Sequence, residues 1–478
     1  MVLFCAVALA HSVVAIRDVV SGVEVTDRPV SGIARYAQHL ACAVLLLAVP
    51  TSQANGNARF EGVATCAGST CHGRAEGNGA VVRQDEIAIW QNPSSASGAH
   101  SRAYAILSSR RSRQIAASLG LGSATSAPQC LGCHTTYAPQ SRRGFRFLIS
   151  DGVGCESCHG ASGSWLAEHY AVPATHASNV ASGLTPLEQP QVRAKVCLDC
   201  HYGSPKTGQF VTHSMMAAGH PRISFELDLF SALQQHHDID ADYAQRKGQL
   251  DSVKLWAVGQ AEAVRRSTDL FAKPAFGMRG MFPEFYFYDC HSCHRSITDG
   301  PERKHTFETN PERPIPYANP PFNDENIIML SAVAGALAPA QADRFRSASR
   351  EFHRAMGRNL GSARQAAATL NRSAGALSNA LAARAYGNED AFNVISIIAA
   401  RATSNRFTDY AGAVQAVMAI DTLLNALVRE GRITVGAAAG IRANINRAYG
   451  AVAEPNSYNP VQFRRAIRSA AGAIGSLR

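Results

Sequence analysis

The sequence predicts a mostly α-helical chain in two unlike parts: a cysteine- and histidine-rich stretch with little regular structure, then an α-helical bundle. Three observations predict this. Two cysteines followed at once by a histidine recur five times between residues 66 and 294. That stretch is rich in Gly, Ser and Pro, and its apolar residues show little periodicity. From residue 323 onward cysteine vanishes, Ala and Arg dominate, and apolar residues recur at helical spacing.

Read in order, the chain divides into 1–54, 55–322 and 323–478. The first segment reads as a leader. Arg35 precedes the apolar run Ala41 to Val49, then Pro50 and Ser52-Gln53-Ala54, the pattern of a signal peptide with cleavage expected after Ala54. A true start near Val30 is expected, with a membrane anchor at Met1–Ile16 as the rival reading. No stable membrane insertion is expected once the leader is removed.

Between 55 and 322 short helices are expected at Ser112–Leu119, capped by Ser112 and stopped by Gly120, and at Asp251–Phe271. Pro311, Pro314, Pro316, Pro320 and Pro321 then read as a stiff, extended linker. In 323–478, Phe345, Ala348, Phe352 and Met356 share one helix face. Thr408 can cap a helix carrying the stripe Val417, Ile420, Leu424 and Leu427, ended near Gly431. Asn459-Pro460 is an N-cap followed by Pro at the first helical position, with Ile467, Ala471 and Ile474 behind it. Four to six helices packed as a bundle are expected.

The chemistry lies in the five repeats. Four are strict Cys-x-x-Cys-His: Cys130, Cys133 and His134; Cys155, Cys158 and His159; Cys197, Cys200 and His201; Cys290, Cys293 and His294. The first, Cys66-Ala67-Gly68-Ser69-Thr70-Cys71-His72, has four residues between its cysteines, so its loop must bulge. In each, two thiols can add across the haem vinyl groups while the adjacent histidine ligates iron from one face. A zinc site would need two further ligands per motif, and a redox dithiol would stand alone; neither requires a histidine after every second cysteine. The cofactor implied is haem c, five copies, covalently attached. Ten of the twelve cysteines lie in the motifs, and the other two, Cys5 and Cys42, fall in the leader. Such attachment takes place outside the bacterial cytoplasm, so a periplasmic or otherwise exported protein is expected.

Each iron needs a second axial ligand. Ten of the seventeen histidines lie outside both motif ends and leader. His100, His169, His213, His220 and one of His236 and His237 are the candidates. Met215 and Met216 could ligate instead and would raise the potential. His291 sits inside the fifth motif and is an unsuitable ligand for that haem. His176, His305 and His353 read as solvated or packing residues. The formal charge is +10, and 325–478 holds 18 Arg, no Lys and 9 acidic residues. An exported cytochrome does not meet nucleic acid, so this charge points to redox protein partners, acidic ones included, or to self-association.

The segments Cys66–Gly73, Trp90, His100-Ser101-Arg102-Ala103-Tyr104, Cys130–His134 and Gly152–Gly160 resemble the cytochrome c-554 family of multihaem cytochromes. Gly219-His220-Pro221-Arg222 and Phe225-Glu226-Leu227 are similar to its larger bacterial relatives. The resemblance spans about residues 60–300. It implies electron transfer; the family's namesake carries four haems and shuttles electrons from hydroxylamine oxidation, and this chain has a fifth motif. The expected function is an electron carrier with mostly bis-histidine haems and no catalytic residues. One alternative is a haem enzyme whose open iron acts on small nitrogen oxides or hydroxylamine. Another is a structural haem wire of stacked chains.

Overall fold

The computed structural model describes residues 57–77, 83–222, 224–279, 282–294, 312–315, 319–404 and 410–478. These belong to one compact unit, Ala54–Arg478. The leader, with Cys5 and Cys42, lies outside the described residues, as do His305, Thr408, Pro311 and Pro316.

The fold is mostly α, as the sequence predicts. The only ladder among the described residues pairs Met278–Arg279 with Phe282–Pro283, antiparallel, with Met278 opposite Pro283. The first part is built from short helices and turns. Those that matter for the site are α1 (Glu86–Gln91), α2 (Arg110–Ser118), α3 (Pro128–His134), α4 (Cys155–His159), α5 (Pro190–His201) and α6 (His213–Ala217). Their brevity follows from their sequence: glycine and proline interrupt them before a long apolar face can develop.

The cap of α2 differs from expectation. Ser109, not Ser112, is the N-cap, and its Oγ accepts a hydrogen bond from the Ser112 backbone N–H at 3.1 Å. Ser112 therefore occupies the third helical position and sends its own hydroxyl back to the Ile106 carbonyl. Gly120 follows the helix with φ +66°, the left-handed conformation that stops it.

The helical part is α7 (Ser252–Ala272), α8 (Glu325–Leu337), α9 (Pro339–Met356), α10 (Leu360–Ala383), α11 (Asp390–Ala402), α12 (Tyr410–Arg429), α13 (Val435–Ala451) and α14 (Pro460–Gly475). Helix α7 starts where Asp251 Oδ1 accepts from Lys254 N–H at 2.7 Å, and α14 where Asn459 Oδ1 accepts from Gln462 N–H at 2.9 Å. Seven described helices follow residue 323, rather than four to six. The expected stripes are core. Phe345, Phe352, Val417, Ile420, Leu424 and Leu427 are all fully buried. Helix α12 is long and apolar enough to cross a membrane, but its apolar window is 89% buried inside this unit, as the central helix of a packed bundle is.

The core does not break at Phe322. One apolar cluster runs from Ala194 through Trp256 and Phe271 to Ile474. Helix α7, on the motif side of the expected boundary, packs along α10 and also touches α5 and α8. The described end of the proline-rich stretch is likewise held in place. Phe322 is buried, with its ring 5.5 Å from Phe271 and 4.9 Å from Phe352. Asp289 N–H donates to Pro321 O and Asn323 N–H to Phe287 O, at 2.9 and 2.8 Å. A buried aromatic anchors what composition alone reads as a free spacer.

Candidate haem-binding sites

Three motifs close helices. His134, His159 and His201 are the last residues of α3, α4 and α5. One helical turn brings residues i, i+3 and i+4 together, so both cysteines and the histidine gather on one side. The fifth motif does the same with a tighter turn, Cys290–Ser292, and His294 N–H donates to Cys290 O at 2.8 Å. The first motif keeps that closure despite its length. His72 N–H donates to Cys66 O at 3.2 Å, while Cys71 N–H turns back on Gly68 O at 2.9 Å. The two additional residues are looped out, and the histidine returns to the first cysteine as in the strict motifs. All ten motif cysteines are unbridged.

Each motif histidine faces a histidine from elsewhere in the chain. Ring centres are 5.8 Å apart for His72 and His169, 6.3 Å for His134 and His220, 6.1 Å for His201 and His100, and 6.3 Å for His294 and His213. His159 faces two, His236 at 6.3 Å and His237 at 6.0 Å. Two imidazoles on opposite faces of one iron would have centres about 6 Å apart, from metal–nitrogen bonds of about 2.0 Å and about 1.1 Å from nitrogen to ring centre. The donor sets therefore fit an axially ligated haem at all five motifs.

The imidazoles are held for that role. His134, His220 and His236 direct Nδ1 at the carbonyls of Ala103, Pro221 and Gln234, at 2.7, 2.8 and 2.7 Å. A carbonyl only accepts, so Nδ1 carries the proton and Nε2 keeps its lone pair for a metal. His72 instead places Nδ1 2.9 Å from Glu86 Oε2. Burial pushes His201 and His236 down to about 4 and lowers His159 and His220 as well. These rings are neutral at pH 7, the state a ligand needs. Phe225 stacks on His201 at 5.1 Å, and Trp165 lies 5.6 Å from His169.

The remaining candidates are placed as follows. Met215 is buried and Met216 packs against the apolar core, between His213 and His220, which face motif histidines. His291 turns away from its motif toward the bundle, with Nδ1 2.8 Å from Pro455 O and its ring 5.4 Å from Tyr458. His176 Nε2 lies 3.1 Å from Glu188. His353 is buried in α9, with Nε2 3.3 Å from Asp324 Oδ2.

The motifs touch one another in a definite pattern. Motif one meets motif three: the Cys66 and Cys155 thiols are neighbours, and Glu156 accepts from the backbone of Glu61 and Gly62 at 2.9 and 2.8 Å. Motif three meets four at Gln234, whose carbonyl accepts from His236 Nδ1 at 2.7 Å and whose side chain lies beside His100, a histidine that faces His201. Motif four meets two through Gln209, which donates to Gly132 O at 3.0 Å and to Cys200 Sγ at 3.4 Å. A Cβ on Gly132 would stand 2.6 Å from the Gly208 carbonyl carbon, so only glycine permits this backbone contact. Motifs two and five share one short segment, since His213 opens α6 and His220 follows it. Thr136 also hydrogen-bonds Ser157 at 2.7 Å, joining two to three. Glu86, Glu156, Gln209 and Gln234 are functional neighbours that no sequence pattern marks.

Cysteine pairs closed by histidines, each opposite a second histidine, define a c-type cytochrome, a protein for electron transfer or haem catalysis. Residues 65–160, which contain the first three motifs, match the family described as cytochrome c554 and c-prime, so this stretch carries a cytochrome c554 family relationship. The fourth and fifth motifs lie beyond the matched residues. No curated protein and no solved structure matches the chain.

Proposed function

We propose that the chain is an exported, periplasmic electron carrier with five covalently attached haems. One observation carries this reading: every motif histidine has a second histidine at axial-ligand distance. Ten motif thiols would attach the haems. His72, His134, His159, His201 and His294 would hold one face of each iron, and His169, His220, His236 or His237, His100 and His213 the other. Haem supplies one-electron exchange when bound. The residues around it orient the rings and bury their faces, which tunes each potential. The motif contacts support a route in the order one, three, four, two, five, with a side contact between three and two. Docking would be with redox proteins, acidic ones among them, given the arginine-rich bundle.

The enzyme alternative needs an iron without a second histidine, and no motif among the five lacks one. The deciding measurement is the mass of the denatured mature protein together with its electron paramagnetic resonance spectrum. The expected result is the apo mass plus five haems, all low-spin. Four haems would overturn the five-haem count, and a substantial high-spin signal with carbon monoxide binding after reduction would overturn the carrier reading.

A further inference from the structure

Glu86 is a buried carboxylate in a region of half-buried histidines, and burying a carboxylate is costly unless it is compensated. Its Oε2 stands 2.9 Å from His72 Nδ1, and its Oε1 stands 3.5 Å from His237 Nδ1. The backbone is built to hold it there. Ile87 N–H donates to His72 O at 3.1 Å, which docks the start of α1 on the first motif. Arg83 clamps both flanks, binding Asp85 at 3.0 and 3.2 Å and Asp238 at 3.1 Å. Among the described residues, His72 is the only motif histidine whose Nδ1 meets a carboxylate; His134 meets the neutral Ala103 carbonyl.

We infer that Glu86 is a positioning residue that makes His72 a stronger donor than the other motif histidines and thereby lowers the reduction potential of the first haem. A carboxylate accepting from Nδ1–H draws the ring toward imidazolate and raises its basicity. A more basic ligand, and a negative charge nearby, both favour ferric over ferrous iron. A neutral carbonyl does neither to the same degree. The protein thus sets one end of its haem series apart by a single carboxylate contact to a ligating histidine. The inference rests on the reading of the first motif as a haem site.

The test is Glu86→Gln in the full mature chain, which keeps the size of the side chain and removes its charge. Mass spectrometry counts the haems, and optical potentiometry with paramagnetic resonance reads the irons. The first haem's midpoint should rise most and its low-spin signal should shift, with a smaller rise at the third haem, whose neighbour His237 also meets Glu86, while the other three are unchanged. Glu86→Asp, which keeps the charge but shortens the reach, should raise the same midpoint by less. Unchanged midpoints in whichever of these variants keeps its haem on Cys66 and Cys71 overturn the inference. Absence of that haem from the unaltered protein is a different result: it refutes the first motif as a haem site, and the role of Glu86 falls with it.

Discussion

At the scale of single residues, the pair His236 and His237 shows how neighbours choose a ligand. Both rings face His159, and all three could offer an atom to one metal. The Gln234 carbonyl fixes the proton of His236 on Nδ1, and burial keeps that ring neutral. His237 is more exposed and pairs with Glu86. His236→Ala should therefore convert one haem to high spin and open it to carbon monoxide, whereas His237→Ala should leave all irons low-spin. The reverse outcome in visible and resonance spectra would assign His237 as the ligand. His353 carries a second prediction, about pH. Burial holds it down to about 4, beside Asp324, whose charge Arg313 already engages at 2.6 and 3.0 Å. The unfolded ring titrates near about 6.5. Between these values the unfolded chain binds the extra proton, so stability falls as pH drops from about 6.5 to about 4, by about 3 kcal/mol in all. Urea unfolding of His353→Gln at pH 7 and pH 4.5 should show a smaller loss than the parent; an equal loss would remove His353 from the account.

At the scale of elements, α7 decides how the two parts depend on each other. Trp256, Val264, Leu270 and Phe271 are fully buried, and α10 covers much of that face. A chain ending after Phe322 would expose these side chains, each worth about 1.5–3 kcal/mol when buried. Such a truncated protein should lose cooperative thermal unfolding and be cleaved within Ser252–Ala272 by limited proteolysis. A truncated form that melts like the parent and keeps α7 protected would show that the motif region stands alone. The helix boundaries are largely legible in the sequence. Asn459 caps as its sequence indicates, because a side-chain acceptor at the N-cap is a local interaction, and the helix expected from Asp251 begins one residue later with Asp251 as its cap. The sequence points to Ser112 while the cap is Ser109, since both serines are competent caps and only the preceding turn, Ala105–Ser108, selects between them.

At the scale of the whole molecule, the haem-site order departs from chain order. The short gap between His134 and Cys155 suggests that sites two and three are neighbours, and the Thr136–Ser157 contact agrees. The adjacency of one with three and of four with two has no counterpart in spacing. It depends on a glutamine, a glycine and a glutamate contributed from distant segments, up to 95 residues apart for Glu61 and Glu156.

By itself the sequence determined that this is a helical chain with five haem-type motifs and a surplus of histidines near them. Those features are local, since two thiols and a histidine within one turn declare their chemistry wherever the turn is placed. Tertiary structure decided which histidine faces which motif, that α7 belongs to the bundle core, that Phe322 pins the proline-rich stretch, and that a buried Glu86 touches His72. These depend on which apolar faces bury against one another across long loops. That choice is made by the burial of the whole core at once, and no single segment carries it.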